Sequence, residues 1–152
     1  MATRRWKELP SKYKKNKTPN KTPDPLESEV QKAVIEWAEC IPYKKRKLVD
    51  YLHHSANGGE RNLLEAKKFK AMGVKAGYPD LTLDIARQGY HGLRIELKRS
   101  EKEEPSDKQK ERLEMLTEEG YFAIVCKGVD QTILVISNYM GFGKKSMKIS
   151  NN

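Results

Sequence analysis

Apolar positions near the start of the chain recur at the spacing of a helix. The segment 25–41 places them at Val30, Ala33, Val34, Trp37, Ala38 and Ile41. Residues three and four positions apart share one face of an α-helix, so this pattern predicts a helix with one buried side, ended by Pro42. Asp24 is a favourable N-cap, Pro25 suits the first helical position, and Glu27 stands three residues after the cap.

Later segments predict further helices and strands in alternation. Residues 48–54 alternate at period two and predict a strand, as does the β-branched run 121–127. Helices are predicted over 62–72, from the capping residue Ser106 to Gly120, and over 130–140. In the second helix the residues on the expected apolar side are Leu63, Leu64, Phe69 and Met72. This order of elements predicts an α/β domain, with a mixed β-sheet flanked by helices.

The segment from Gly77 to Lys98 has the pattern of a β-hairpin. Two short apolar runs, 81–85 and 93–98, are bounded by glycine, proline and polar turn residues. Side chains on a strand alternate between faces, so Glu96 and Lys98 share one face of the second strand. Asp80 stands at the start of the first strand, where it can meet Glu96 across the hairpin.

Two carboxylates and one ammonium at the end of a sheet suit hydrolysis of a phosphodiester. A divalent cation held by Asp80 and Glu96 would polarise the phosphoryl oxygen and lower the pKa of a bound water. Lys98 could orient that water and offset negative charge in the transition state. The alternative is an ordinary surface hairpin with a cross-strand pair of charges.

Two other groups of residues carry weaker signals. Glu29 lies near the edge of the buried face of the first helix, where it could be a third acidic ligand or a solvated side chain. The adjacent residues His53 and His54 raise the possibility of a zinc site, but the partner ligands that zinc needs do not accompany them. The run 44–47 is a basic loop that could contact phosphate or stay solvated.

Charge is concentrated at the two ends of the chain. Residues 1–22 contain eight Lys and Arg against one acid, and the chain as a whole carries +9. We expect 1–22 to be a disordered basic arm, 23–140 the folded domain, and 141–152 a basic tail. Such tails can bind nucleic-acid phosphates or simply aid solubility. Two cysteines without metal-site spacing, no membrane-length apolar run and no signal peptide predict a cytoplasmic protein without membrane contact.

Four motifs stand in register along the chain: Glu29 in the first helix, the segment His54–Arg61, the segment Gly73–Asp80, and Glu96-Leu97-Lys98 followed by Ser106–Gln109. Together they resemble the VRR-NUC (virus-type replication-repair nuclease) domains, a branch of the PD-(D/E)XK nucleases. The likeness spans roughly 25–140. This resemblance implies the restriction-endonuclease-like fold. The chain is similar in length to the stand-alone phage and bacterial members, which have no large flanking domains.

The resemblance also implies a role for each matching residue. Asp80, Glu96 and the carbonyl of Leu97 would bind Mg²⁺ or Mn²⁺, and Glu29 would complete the site through a second metal or a bound water. Lys98 would position the attacking water, and Gln109 would support that lysine or the scissile phosphate. The residues that would contact DNA are His54, Asn57, Arg61 and Lys75.

Three functions are compatible with these signals. The first is a metal-dependent, structure-selective DNA endonuclease, acting as a homodimer on branched DNA in the manner of Holliday-junction resolvases in DNA repair. The second is a general or restriction-type nuclease. The third is a non-catalytic DNA-binding module, against which the clustered acids argue, because they would repel DNA unless a cation lay between them.

Overall fold

The computed structural model of the 152-residue chain describes residues 26–55 and 62–142. The described helices are α1 (Glu27–Glu39), α2 (Leu63–Ala71), α3 (Asp107–Glu118) and α4 (Val129–Met140). The strands are β1 (Pro42–Tyr43), β2 (Arg46–Lys47), β3 (Leu52–His54), β4 (Leu81–Leu83), β5 (Leu93–Lys98) and β6 (Phe122–Lys127). The predicted basic arm and tail, and the residues Asn57 and Arg61, lie outside the described residues.

A mixed four-stranded sheet in the order β3-β4-β5-β6 is the centre of the domain. Strands β3, β4 and β5 are mutually antiparallel, whereas β6 runs parallel to β5 over its full length, from Leu93 opposite Phe122 to Lys98 opposite Lys127. A parallel pair needs a crossover connection, and α3 supplies it. The α/β fold with helices flanking a mixed sheet is therefore confirmed, as is the central hairpin formed by β4 and β5.

The hydrophobic core lies between one face of this sheet and the helices α1 and α4. Its helical members include Val30, Val34 and Ala38 of α1, each with no exposed surface. Leu93, Ile95 and Leu97 are the residues of β5 that join them. The other face of β5 carries Arg94, Glu96 and Lys98, which are buried although they are charged. The alternation of a strand thus divides β5 into an apolar side and a charged side.

Four local predictions need correction. The predicted strand 48–54 begins instead as a 3₁₀ turn, Leu48–Tyr51, and only Leu52–His54 pairs with β4. The predicted basic loop forms the small antiparallel ladder of β1 and β2, which fixes its ends. Helix α1 begins at Glu27 with Leu26 as its N-cap, two residues beyond the predicted cap at Asp24. Helix α2 buries none of its residues, so its predicted apolar side is exposed.

Candidate active site

Asp80 lies at the point where β4 begins, beside the last residues of β5. The pairing of β4 with β5 ends at Leu81 opposite Ile95, so the backbone of Leu97 has no strand partner on that side. The carboxylate of Asp80 takes that place, because its Oδ2 accepts a hydrogen bond from the backbone N–H of Leu97 at 2.7 Å. The backbone of Asp80 is also fixed, since its carbonyl oxygen accepts a hydrogen bond from the N–H of Ser55. The strand geometry thus directs this carboxylate toward the end of β5.

Glu96 and Lys98 form a buried ion pair on the charged side of β5. The Nζ of Lys98 lies 2.9 Å from the Oε1 of Glu96, and the two side chains are only 9% and 1% exposed. Residues two apart on a strand point the same way, which places them together as the sequence predicted. The second carboxylate oxygen of Glu96, Oε2, is buried without a hydrogen-bond partner among the described residues.

Gln109 connects the site to the start of α3. Its Oε1 accepts a hydrogen bond from the backbone N–H of Ser106 at 2.8 Å, which completes the predicted capping box. Its Nε2 donates to the Oε1 of Glu96, the same oxygen that Lys98 contacts. One side chain therefore caps a helix and holds the carboxylate of Glu96.

Burial and the neighbouring charges together shift the pKa values of these groups upward, toward the protonated forms. Desolvation, followed by the nearby charge of Asp80, raises the pKa of Glu96 from 4.5 to about 8, and the contact with Lys98 only partly offsets this. Desolvation also raises the pKa of Asp80, against the opposing hydrogen bond from Leu97. The pKa of Lys98 is raised as well, because its pairing with Glu96 outweighs its own desolvation. The two carboxylates are thus short of compensating positive charge.

A divalent cation would supply that charge, and the donor set fits one. Mg²⁺ is commonly held by one or two carboxylates, with water and substrate phosphate completing its shell. Asp80 and Glu96 provide two carboxylates, and the Oε2 of Glu96 accepts no hydrogen bond from the part of the chain that the structure describes. Within residues 26–55 and 62–142, no group of three or more His, Cys, Asp and Glu side chains is arranged to enclose a metal ion. These residues therefore fit a metal site in which protein carboxylates supply only some of the ligands and water and substrate phosphate would supply the others.

The two glutamates in the first turn of α1 are placed differently. The Oε2 of Glu29 accepts a hydrogen bond from the backbone N–H of Leu26 at 2.9 Å, so this side chain caps its own helix. Glu27 is electrostatically coupled to the site: desolvation and then the charge of Asp80 raise its pKa, while Lys98 lowers it. The sequence analysis proposed Glu29 as the third acid, whereas the electrostatic coupling to Asp80 and Lys98 is recorded for Glu27.

A sequence signal for Glu27 did exist. Glu27 lies three residues before Val30 and seven before Val34, and both of these are fully buried. Residues at this spacing lie on one helical face. Glu29 is instead aligned with Ala33 and Trp37, which are only half-buried.

The predicted DNA-contacting residues are less closely grouped. The Nδ1 of His54 lies 3.1 Å from the carbonyl oxygen of Asp80. A carbonyl only accepts, so Nδ1 carries the hydrogen and Nε2 is left to face a ligand. Lys75 is exposed in the segment that leads from α2 back to Asp80. Asn57 and Arg61 fall outside the described residues.

Comparisons with known proteins show one family to which the chain is similar. The family model of the VRR-NUC domain matches residues 11–130. A solved structure described as a "VRR_NUC domain protein" is 52% identical, covers 77% of this chain and 89% of its own, and superposes with a TM-score of 0.69. The comparison with curated proteins gives no match. None of the described helices is long and apolar enough to cross a membrane.

Proposed function

The chain belongs to the VRR-NUC domain family, and on that basis we propose that it is a metal-dependent, structure-selective DNA endonuclease. Membership of this family makes it a nuclease-type, DNA-processing protein. The finer proposal is hydrolysis of phosphodiester bonds in branched DNA by a homodimer using Mg²⁺ or Mn²⁺. The observation that carries it is the group of Asp80, Glu96 and Lys98 at the end of the sheet, in which the buried Oε2 of Glu96 has no hydrogen-bond partner among the described residues.

Each side chain has a distinct task in this proposal. Asp80, Glu96 and the carbonyl of Leu97 hold the divalent ion, which when bound polarises the phosphoryl oxygen and lowers the pKa of water. Lys98 orients the attacking water and offsets negative charge that develops on the phosphoryl group. Gln109 keeps Glu96 in position through its hydrogen bond.

A third carboxylate from α1 would complete the site through a bound water or a second ion. The resemblance to the family assigned this role to Glu29. The coupling of Glu27 to Asp80 and Lys98 supports Glu27 instead. His54, Asn57, Arg61 and Lys75 remain proposed contacts to phosphate.

The homodimer and the branched substrate are parts of the same proposal. Two active sites related by a two-fold axis suit a junction of near two-fold symmetry. A cytoplasmic location, in the host cell if a phage encodes the chain, is also proposed. Its support is that Cys40 and Cys126 are both free thiols, as in a reducing compartment.

The test compares wild type with Lys98→Ala on four-way-junction, flap and linear duplex DNA, each with Mg²⁺, Mn²⁺ or EDTA. We expect metal-dependent cutting by wild type that is lost in the variant, with paired nicks on the junction. Equal cutting of junction and linear duplex would favour a general or restriction-type nuclease. Binding without cutting in any metal would leave a non-catalytic DNA-binding module.

A further inference from the structure

Helix α2 has little of the tertiary packing that normally stabilises so short a helix. None of its nine residues is buried. Leu63, Leu64 and Met72 are 82%, 79% and 68% exposed, although they are among the larger apolar side chains of the domain. Helices shorter than about 12 residues are marginal in water without tertiary packing. This helix therefore has the features of an element that is covered by a partner.

Both connections of α2 lead to the candidate active site. On one side, β3 ends at His54, and the next residue, Ser55, donates its N–H to the carbonyl of Asp80 at 2.9 Å. On the other side, Gly77 packs on the start of α3, where a Cβ would lie 2.6 Å from the carbonyl oxygen of Lys108. The helix ends at Ala71, nine residues before Asp80, and nine residues span at most about 32 Å. The end of α2 therefore lies within that reach of the candidate metal site.

The charge of this region identifies the partner that it suits. We call residues 62–76 the α2 arm. Four of them are lysines, at 67, 68, 70 and 75, and only Glu65 is acidic, which gives 4 − 1 = +3. All four lysines are exposed, and none of the ion pairs recorded among the described residues involves them. An exposed +3 segment attracts a polyanion.

We propose that the α2 arm binds the phosphate backbone of DNA on one side of the scissile phosphate. This inference rests on the proposed nuclease function and adds a DNA-binding element to it. The acidic side chains at the metal site repel DNA, so cations are needed beside them to hold the flanking phosphates. Lys67 is four residues from Leu63 and Lys68 is four residues from Leu64, so each pair lies on one helical face. The leucines can therefore pack on deoxyribose while the lysines pair with phosphate.

A second copy of the chain is the competing occupant of this surface. Exposed leucines are common at dimer interfaces, and the domain is proposed to form a homodimer. However, an isologous contact through α2 would bring two +3 segments together, and like charges at an interface oppose association. The charge of the arm therefore favours DNA.

The test measures DNA binding by the full chain separately from cleavage. The arm variant is Lys67→Gln/Lys68→Gln/Lys70→Gln. The matched control is Lys45→Gln/Arg46→Gln/Lys47→Gln, which removes the same charge from exposed positions around β2. That hairpin follows the C-terminal end of α1, about 20 Å along the helix from Glu27. Anisotropy of labelled duplex and junction DNA is followed against KCl with Ca²⁺ or EDTA, and thermal unfolding shows that each variant is folded.

We expect the arm variant to bind DNA at least about tenfold more weakly than wild type. The slope of log affinity against log salt should fall by about two to three, since each lost phosphate contact accounts for about 0.9. The control should keep the wild-type slope to within about 0.5, less than one such contact. An unchanged affinity and slope in the arm variant, or no DNA binding by wild type, would overturn the inference.

Two further results separate the neighbouring hypotheses. Leu63→Ser/Leu64→Ser is examined by light scattering of the protein without DNA. If that variant changes from dimer to monomer while the lysine variant binds normally, the arm is a self-association surface and the inference is wrong. A lysine effect on binding without cleavage by wild type in any metal would contradict the nuclease proposal alone.

Discussion

Strand β5 and helix α2 depart from the hydrophobic pattern in opposite ways. In β5 the charged residues Glu96 and Lys98 are buried, at 1% and 7% exposure. In α2 the leucines at 63 and 64 are about four-fifths exposed. Burying a charge costs free energy, and leaving a large apolar side chain in water forgoes its burial. The chain connects α2 on both sides to residues beside the candidate site, at Ser55 and at Asp80, so the two departures can be compared within one region of the sequence.

The difference between the two elements indicates that β5 suits catalysis and that α2 suits binding. The charged side of β5 is held rigidly, because Lys98 and Gln109 both contact one oxygen of Glu96. Such fixed groups suit chemistry, in which the ligand atoms must not move. Helix α2 buries none of its residues in the described structure and suits contact with a large, variable partner. Substitutions in β5 should therefore affect catalysis and pH-dependent stability, and substitutions in α2 should affect binding alone.

The largest effect is expected from Glu96→Gln. The amide keeps the size of the side chain but removes the charge that holds the metal, so cleavage should fall by about a thousandfold, comparable with loss of a major electrostatic group. Initial rates on the preferred DNA in saturating Mg²⁺ measure this. Glu36→Gln, an exposed substitution on α1, is the control and should cleave normally. If Glu96→Gln cleaved DNA at a rate within about tenfold of wild type, Glu96 would not be a ligand of the metal ion.

Stability against pH tests the buried charge without any substrate. The folded-state pKa of Glu96 is about 8, above its ordinary value of 4.5. Between these values the native state holds a proton that the unfolded state has released, so the free energy of unfolding falls as pH rises through this window. The loss should be a few kcal/mol, about 1.4 for each pKa unit.

Denaturant unfolding in EDTA at pH 5 to 9 measures this loss. Glu96→Gln has no proton to release and should show a smaller decrease than wild type over the same range. Adding Mg²⁺ should restore stability to wild type above pH 8, because the ion takes the place of the proton. Parallel curves for the two proteins in EDTA would contradict the raised pKa.

The next effect in size separates the two glutamates of α1. Glu27→Gln should lower cleavage by about a hundredfold, because Glu27 is coupled to Asp80 and its role through a bound water is indirect. Glu29→Gln should leave cleavage within about twofold, since glutamine can keep the hydrogen bond to Leu26 as in an ordinary capping box. Cleavage rates of both variants, measured against metal concentration, show which of the two glutamates acts at the site. The opposite ranking would restore Glu29 as the third acid.

The sequence predicted the arrangement of the charged residues on β5 more securely than the first turn of α1. Asp80, Glu96 and Lys98 were predictable because a hairpin and strand alternation fix their relation within a few residues. The choice between Glu27 and Glu29 depends on where α1 begins, and the strong capping preference of Asp24 pointed to an earlier start. The structure caps the helix at Leu26 instead.

Gln109→Ala should produce a smaller loss of cleavage, about tenfold, by releasing Glu96 from α3. Ser106→Ala is the matched control, because Ser106 is the other half of the same capping box and does not reach Glu96. Both variants should lower the free energy of unfolding by about 1 kcal/mol through the lost cap. Rates and unfolding measured together distinguish the two roles. Equal cleavage by the two variants would leave Gln109 with a capping role only.

Secondary structure was predicted correctly where the sequence pattern extended over many residues, and the prediction failed where the element was short. The strands β1 and β2 have two residues each, too few for any periodicity, and the 3₁₀ turn Leu48–Tyr51 interrupts an alternation that resembled a strand. For α2 the helix itself was predicted correctly, but the exposure of its apolar side chains was not predicted. Apolar spacing predicts that a face will be covered, and it carries no information on whether the cover belongs to the same chain.

The smallest effect is expected for the stability of the free protein when the leucines of α2 are changed. Leu63→Ser/Leu64→Ser removes side chains that are already in water, so the free energy of unfolding should change by less than about 0.5 kcal/mol. Leu93→Ala in β5, where the side chain is fully buried, should cost about 2–5 kcal/mol. Denaturant unfolding of the metal-free protein gives both values, at a concentration where light scattering shows one oligomeric state. A loss near that of Leu93→Ala would mean that α2 is covered by protein in the free state, and the contrast between the two elements would no longer hold.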